Sequence, residues 1–208
     1  IIKEGDLGGL AYYDLKDDEA TLVDKVLAAG SPPAYVGLNE DEKLIYVANY
    51  HLALLQVYSY ADHKLELVAE TKHEDAGHGP RPEQTTSHPH FFDRTPAHNL
   101  VSVDLGLDQV DFYKLEGQEL KHLATYHNEA GFGSRHIVFH PTKPVMYVVG
   151  ELSSNVNVVK YDETDFNFES IATYSTLPET FTGANGASAI KISADGKFLY
   201  AANRGHDS

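Results

Sequence analysis

Apolar and polar residues alternate along nearly the whole chain in short bursts: AYVGL, LIYVANY, LLQVYSY, LELVAE, NLVSVDL, QVDFYKL, HIVFH, VMYVVG, NVNVVKY, AIKIS and FLYAANR. A period of two sends successive side chains to opposite faces. The Val, Ile, Tyr and Phe that fill these bursts suit a pleated, half-buried surface, so each burst predicts a β-strand. Only DKVLAA, residues 24–29, hints at a helix, and it is too short to stand alone.

The bursts recur in a fixed order. With Leu38, Phe92, Phe139 and Ile192 taken as the last apolar residue of each first strand, the spacings are 54, 47 and 53 residues. Tyr46, Val101, Tyr147 and Tyr200 mark the second strands, third strands end near Tyr58, Tyr113 and Tyr161, and LELVAE, ELKHLATY and FESIATY supply the fourth. Four antiparallel strands in a repeat of roughly 40 to 50 residues is the size of a β-propeller blade. Helical repeats would show a 3.6-residue rhythm, which is absent, and a sandwich gives no reason for equal quartets. The reading is a single all-β domain over residues 1–208, with full blades at 33–70, 87–126 and 134–174 and half blades at 1–25 and 188–208. The first half blade is expected to hold third and fourth strands only, and the second to hold first and second strands. That incompleteness favours a partial propeller over a four-bladed ring sealed by its termini.

Within a blade the first and second strands run antiparallel, so the start of one and the end of the other share a sheet edge. Four residues before the first-strand landmarks stand Ala34, His88, Arg135 and Ser188, and three after the second-strand landmarks stand Asn49, Asp104, Gly150 and Asn203. Glu151 and Arg204 follow the last two by one. In a propeller the first strand lines the central channel, so these positions converge on one mouth, where polar groups in a concave opening define a candidate site.

Charge sharpens this. The chain carries 16 Lys and Arg against 31 Asp and Glu, a formal net charge of -15, which repels nucleic acid and anionic membranes. An anionic ligand therefore needs a local cationic pocket, and two of the four arginines, Arg135 and Arg204, fall at the predicted rim. Their planar forks suit a carboxylate or phosphate. The absence of cysteine excludes disulfides and thiolate metal sites and favours an intracellular, cytoplasmic address. Taken singly, each rim residue has a plainer reading: a surface ion pair for an arginine, a solvated loop acid for Glu151. His88 and His90 could form a metal pair, yet no third ligand is in sight. His63, His73, His98, His122 and His127 read as exposed loop or edge residues, His140 before Pro141 as turn chemistry, and the repeated tyrosines as packing between blades. The shared register lifts the set.

VANYHLALLQVY, GHGPRPEQTTSHPHFF, DLGLDQVDFY, SRHIVFHPTKPVMYVVGELSSNVNV and IKISADGKFLYAANRGHDS resemble the bacterial lactonase family of seven-bladed propellers, in the family's order. The resemblance implies about four of seven blades and an enzyme that opens a sugar lactone to its acid, 6-phosphogluconolactone first, without metal or organic cofactor, in carbohydrate metabolism. It carries catalytic roles onto His88, Arg135, Glu151 and Arg204, the four that the register picks out. The NYH pattern adds His51, rim position adds His136 and Asn203, and the long insertion between Glu70 and Ser87 adds Arg81, as substrate-contacting residues. Gly150 stands where related members often have Asn. In this reading His88 or Glu151 activates water and the arginines stabilise the oxyanion, carboxylate or phosphate. A non-catalytic propeller that binds an anion or a protein partner, and a muconate-lactonizing enzyme, are the alternatives.

Overall fold

The computed structural model describes residues 1–77 and 79–208. Its strands are β1 (Ile2–Glu4), β2 (Leu7–Lys16), β3 (Glu19–Ala29), β4 (Tyr35–Asn39), β5 (Leu44–Asn49), β6 (Leu54–Ser59), β7 (Glu66–Lys72), β8 (Pro89–Arg94), β9 (Leu100–Asp104), β10 (Gln109–Glu116), β11 (Glu119–His127), β12 (Ser134–Phe139), β13 (Val145–Gly150), β14 (Asn155–Asp162), β15 (Asn167–Ser175), β16 (Gly186–Ile192) and β17 (Leu199–Arg204). They form five sheets, each a sequential antiparallel meander: β1-β2-β3, β4 to β7, β8 to β11, β12 to β15, and β16-β17. The chain is thus all-β, with three complete four-stranded blades and an incomplete one on either side.

One expectation needs correction. The first sheet has three strands, because Ile2–Glu4 pairs with Leu7–Gly9 as a short second-strand segment. DKVLAA, too short for a helix, is the end of β3, paired residue by residue with β2.

Each sheet stacks on the next through its own apolar cluster. Leu10, Val47 and Leu65 join the first two sheets. Tyr46, Leu55, Val57, Phe92 and Leu100 join the second and third. Val101, Val103, Phe112, Ile137, Met146 and Val159 join the third and fourth, and Val149, Val156, Ala187 and Ile190 join the fourth and fifth. β9 shows the logic, since Leu100 faces one neighbour and Val101 and Val103 the other, and all five of its residues are buried. First strands contact one another from sheet to sheet (β4 with β8, β8 with β12, β12 with β16), so the blades fan out from a common inner edge.

Two kinds of bulge repeat. In the first four sheets the last strand carries one extra residue against the strand before it: Val23, Val68, Leu123 and Ile171. Such insertions increase local twist, which the blade shape requires. A second kind lies at the mouth, in the first strands β8, β12 and β16.

Candidate functional site

The mouth bulges aim the functional side chains. In β12, Ser134 pairs with Gly150 and His136 with Val149, leaving Arg135 as the extra residue. In β8, Pro89 pairs with Asp104 and Phe91 with Val103, so the extra residue is His90. An unpaired bulge residue is free of the ladder and turns its side chain out of the sheet plane. The ladder therefore makes His90, not His88, the counterpart of Arg135. Counting back from Phe92 had slipped by two, since Phe92 pairs like Ile137 rather than like Phe139. A two-residue slip keeps every side chain on its proper face, so the apolar pattern does not reveal it.

Arg135 and Arg204 clamp Glu151. Arg135 Nε donates to Glu151 Oε2 at 2.7 Å, and Arg204 Nη2 lies 2.7 Å from Oε1. Exposure falls off inward: the side chains are 55% exposed for Arg204, 23% for Glu151 and 13% for Arg135. Gly186, whose Cβ would come within 3.4 Å of Arg204 Nη2 and 3.6 Å of Glu151 Cγ, keeps the space beside the clamp open. Burial draws the Arg135 guanidinium below its ordinary value, Glu151 opposes that, and Arg204 adds to it.

Two histidines sit behind and beside the clamp. Arg135 Nη1 donates to His136 Nε2 at 3.4 Å, which requires that nitrogen to be unprotonated. Burial first, then the Arg135 charge, lower His136 to about 3 and His90 to about 4, so both imidazoles are neutral at ordinary pH. The His90 and His136 rings lie edge to face, 5.2 Å apart. His136 also packs on Tyr35 and Phe91, which occupy the same ladder position in the two preceding blades. Buried His90 Nδ1 has no partner among the described residues.

His88 is engaged elsewhere. Its ring stacks on Tyr50 at 4.2 Å and 9°, and its Nδ1–H donates to the Tyr50 carbonyl at 2.9 Å. That bond places the proton on Nδ1 and makes His88 the support of Tyr50. Burial and the charge of Glu151 push the Tyr50 phenol up, so it stays an O–H.

Lys3, Ser31, Pro32, Pro33, Ala34, Tyr50, His51, His90, Glu151 and Arg204 line one recess of about 470 Å³, drawn from all five sheets and their connections. Of the sequence candidates, Glu151, Arg204 and exposed His51 line it directly, and Arg135 and His136 stand against those that do. Asn203 is a correction. It is buried, its amide donates to Thr176 O and Ser208 Oγ, and its oxygen accepts from Thr176 and Asn185, so it pins a turn and does not line the recess. Arg81 is also displaced from its expected role: it is exposed at the start of the 3-10 turn Pro82–Gln84 and does not line the recess. His73 is not an exposed loop residue but is buried between Asp104 (3.4 Å) and the Tyr113 hydroxyl (2.7 Å). Sequence reasoning passed over Tyr50 and Lys3. Tyr50 was findable, since it follows Asn49 as Glu151 follows Gly150 and Arg204 follows Asn203. Lys3 had no signal, because β1 was not recognised as a strand. No group of three or more His, Asp or Glu suited to a metal occurs among the described residues.

The arrangement offers a neutral imidazole beside two guanidinium groups that share one carboxylate, in a recess open to solvent. The lactonase, 7-bladed beta-propeller family matches residues 1–208. The chain is 37% identical over 213 residues to a 6-phosphogluconolactonase of Bacillus subtilis, covering all of this chain and 60% of that protein. A crystal structure of a Lactobacillus plantarum protein superposes with a TM-score of 0.92 at 43% identity, over 98% of this chain and 60% of the other. The periplasmic gluconolactonase of Pseudomonas aeruginosa follows with a TM-score of 0.85 at 27% identity, over 98% and 59%. The chain spans about 60% of the length of the curated relative it matches. With propeller blades, mouth and family match in agreement, the chain belongs to the lactonase family of seven-bladed β-propellers.

Proposed function

We propose that the protein hydrolyses a sugar lactone, 6-phosphogluconolactone foremost, to the open-chain acid. The observation that carries this reading is the neutral His90 imidazole facing a recess whose charged wall is the Arg135–Glu151–Arg204 clamp. Water adds its oxygen to the lactone carbonyl carbon while an imidazole nitrogen of His90 takes the proton. The carbonyl oxygen becomes an oxyanion, held by the guanidinium N–H groups of Arg204 and Arg135 that Glu151 leaves free. The bond from carbonyl carbon to ring oxygen then breaks, and the imidazolium returns its proton to that oxygen. Glu151 fixes both guanidinium planes, and His88 holds Tyr50 in the wall of the recess. The base is thus assigned to His90, while His88 supports the wall. A lactone is reactive enough that positioning and modest charge stabilisation suffice. The names of the Bacillus and Pseudomonas relatives support the substrate class.

The test is acid release from 6-phosphogluconolactone by the full-length protein, corrected for spontaneous opening. His90→Ala and Arg135→Ala should each lower kcat/KM by about 10²- to 10³-fold. Arg94→Ala, far from the mouth, should leave it unchanged. No acceleration by the unmodified protein would refute the enzyme reading and leave a rim that binds anions.

A further inference from the structure

Resting on the lactonase reading, we infer that Lys3 and His51, with the outward edge of Arg204, form a subsite for the phosphate of the substrate, so that the protein prefers phosphorylated over uncharged sugar lactones. The three side chains line the same recess as His90 and Glu151. Its formal charge is opposite to that of the whole protein: Lys3 and Arg204, with Arg135 behind them, face a single acid, Glu151, in a chain of net charge -15. Glu151 spends both oxygens on the arginines. Lys3, by contrast, has no carboxylate within ion-pairing distance among the described residues. An ammonium with three donors and a guanidinium fork match a dianionic phosphate in charge and in hydrogen-bonding capacity.

Lys3 is also held in place. It pairs in the ladder with Gly8. A Cβ on Gly8 would lie 2.4 Å from Pro32 N, so the missing side chain lets the Ser31–Pro33 wall pack directly on β2 beside Lys3. Asn49 Nδ2 donates to Ser31 O at 2.9 Å and ties the wall from its other side. Lys3 and the recess wall therefore both rest on β2, and both line the recess that His90 lines. At about 470 Å³ the recess is of a size to hold a sugar phosphate.

The experiment compares Lys3→Met, Lys3→Arg and the unmodified full-length protein on 6-phosphogluconolactone and on gluconolactone. Lys3→Met should raise KM for the phosphorylated lactone about tenfold with kcat within twofold, and should leave gluconolactone kinetics unchanged. Lys3→Arg should recover most of the loss. Equal effects on the two substrates, or no effect on either, overturn the subsite. If the unmodified protein accelerates neither lactone, the lactonase reading has failed, and calorimetry with 6-phosphogluconate against gluconate decides the subsite alone. Selective binding of the phosphorylated acid that is lost in Lys3→Met supports it, and absence of selectivity overturns it.

Discussion

The mouths of the third and fourth blades are built from the same ladder positions and have opposite characters. At the end of β9, Asp104 is fully buried and accepts from Ser87 Oγ, His88 N at 2.8 Å, Leu107 N at 3.0 Å and His73 Nδ1 at 3.4 Å. Leu105 follows it, buried beneath the 73–88 connection, where Gln84 Nε2 donates to the Leu105 carbonyl at 3.0 Å. At the end of β13 the equivalent of Asp104 is Gly150, where a Cβ would press to 2.4 Å on Phe132 O, and the next residue, Glu151, faces the open recess. A long connection seals one mouth into a self-satisfied polar knot. The short 128–133 connection leaves the other open and charged. The residue that follows the second strand is thus buried in one blade, as Leu105, and faces the open recess in the next, as Glu151, according to what the preceding loop covers.

The largest effect expected from this contrast is on stability. Asp104→Ala orphans several buried donors and should cost about 3 to 5 kcal/mol in a denaturant titration. Glu151→Ala, which leaves Arg135 without its carboxylate in a recess open to solvent, should cost less, about 1 to 2 kcal/mol, and on the lactonase reading abolish turnover; equal stability losses would erase the distinction.

A middle effect concerns pH. For His90 and His136 the folded pKa lies below the unfolded value, near 6.5, so the unfolded state binds more protons and stability falls as the pH drops below about 6.5. At pH 4.5 each histidine should have removed about 2 to 3 kcal/mol. His136→Phe, the residue that Phe91 supplies at the same ladder position, should abolish its share when unfolding midpoints at pH 7 and 4.5 are compared. An unchanged acid dependence would contradict the assignment. His73 in the sealed knot runs the other way. Burial would lower its pKa, but the Asp104 hydrogen bond and the nearby Asp111 charge win and raise it, so its contribution is present at low pH and fades as the pH rises through that raised value.

The smallest effect separates pin from ligand. Asn203→Ala should cost about 1 to 2 kcal/mol through its lost turn bonds while KM stays the same. A raised KM with unchanged stability would restore the substrate role expected of it.

Much of the fold is legible in the chain because alternation and repeat length are local signals. The third strands ending near Tyr58, Tyr113 and Tyr161 stand where the pattern puts them. β1 escaped because three residues cannot display a period. The clamp was readable from strand ends alone, since antiparallel pairing brings Arg135 and Glu151 together whatever the exact register. His90 was not, because choosing between it and His88 needs the extra residue of the bulge to be located, and that depends on hydrogen bonds. Asn203 and His73 were misjudged for a related reason: neither burial nor a saturated amide is written in residue type.

The inserted residues of β8 and β12 have a consequence for how such a protein can change. His90 and Arg135 contribute no rung to the sheet that carries them, so either can be exchanged for a different reagent while the scaffold keeps its pairing. Diversification of the chemistry is thereby uncoupled from the architecture, one blade at a time.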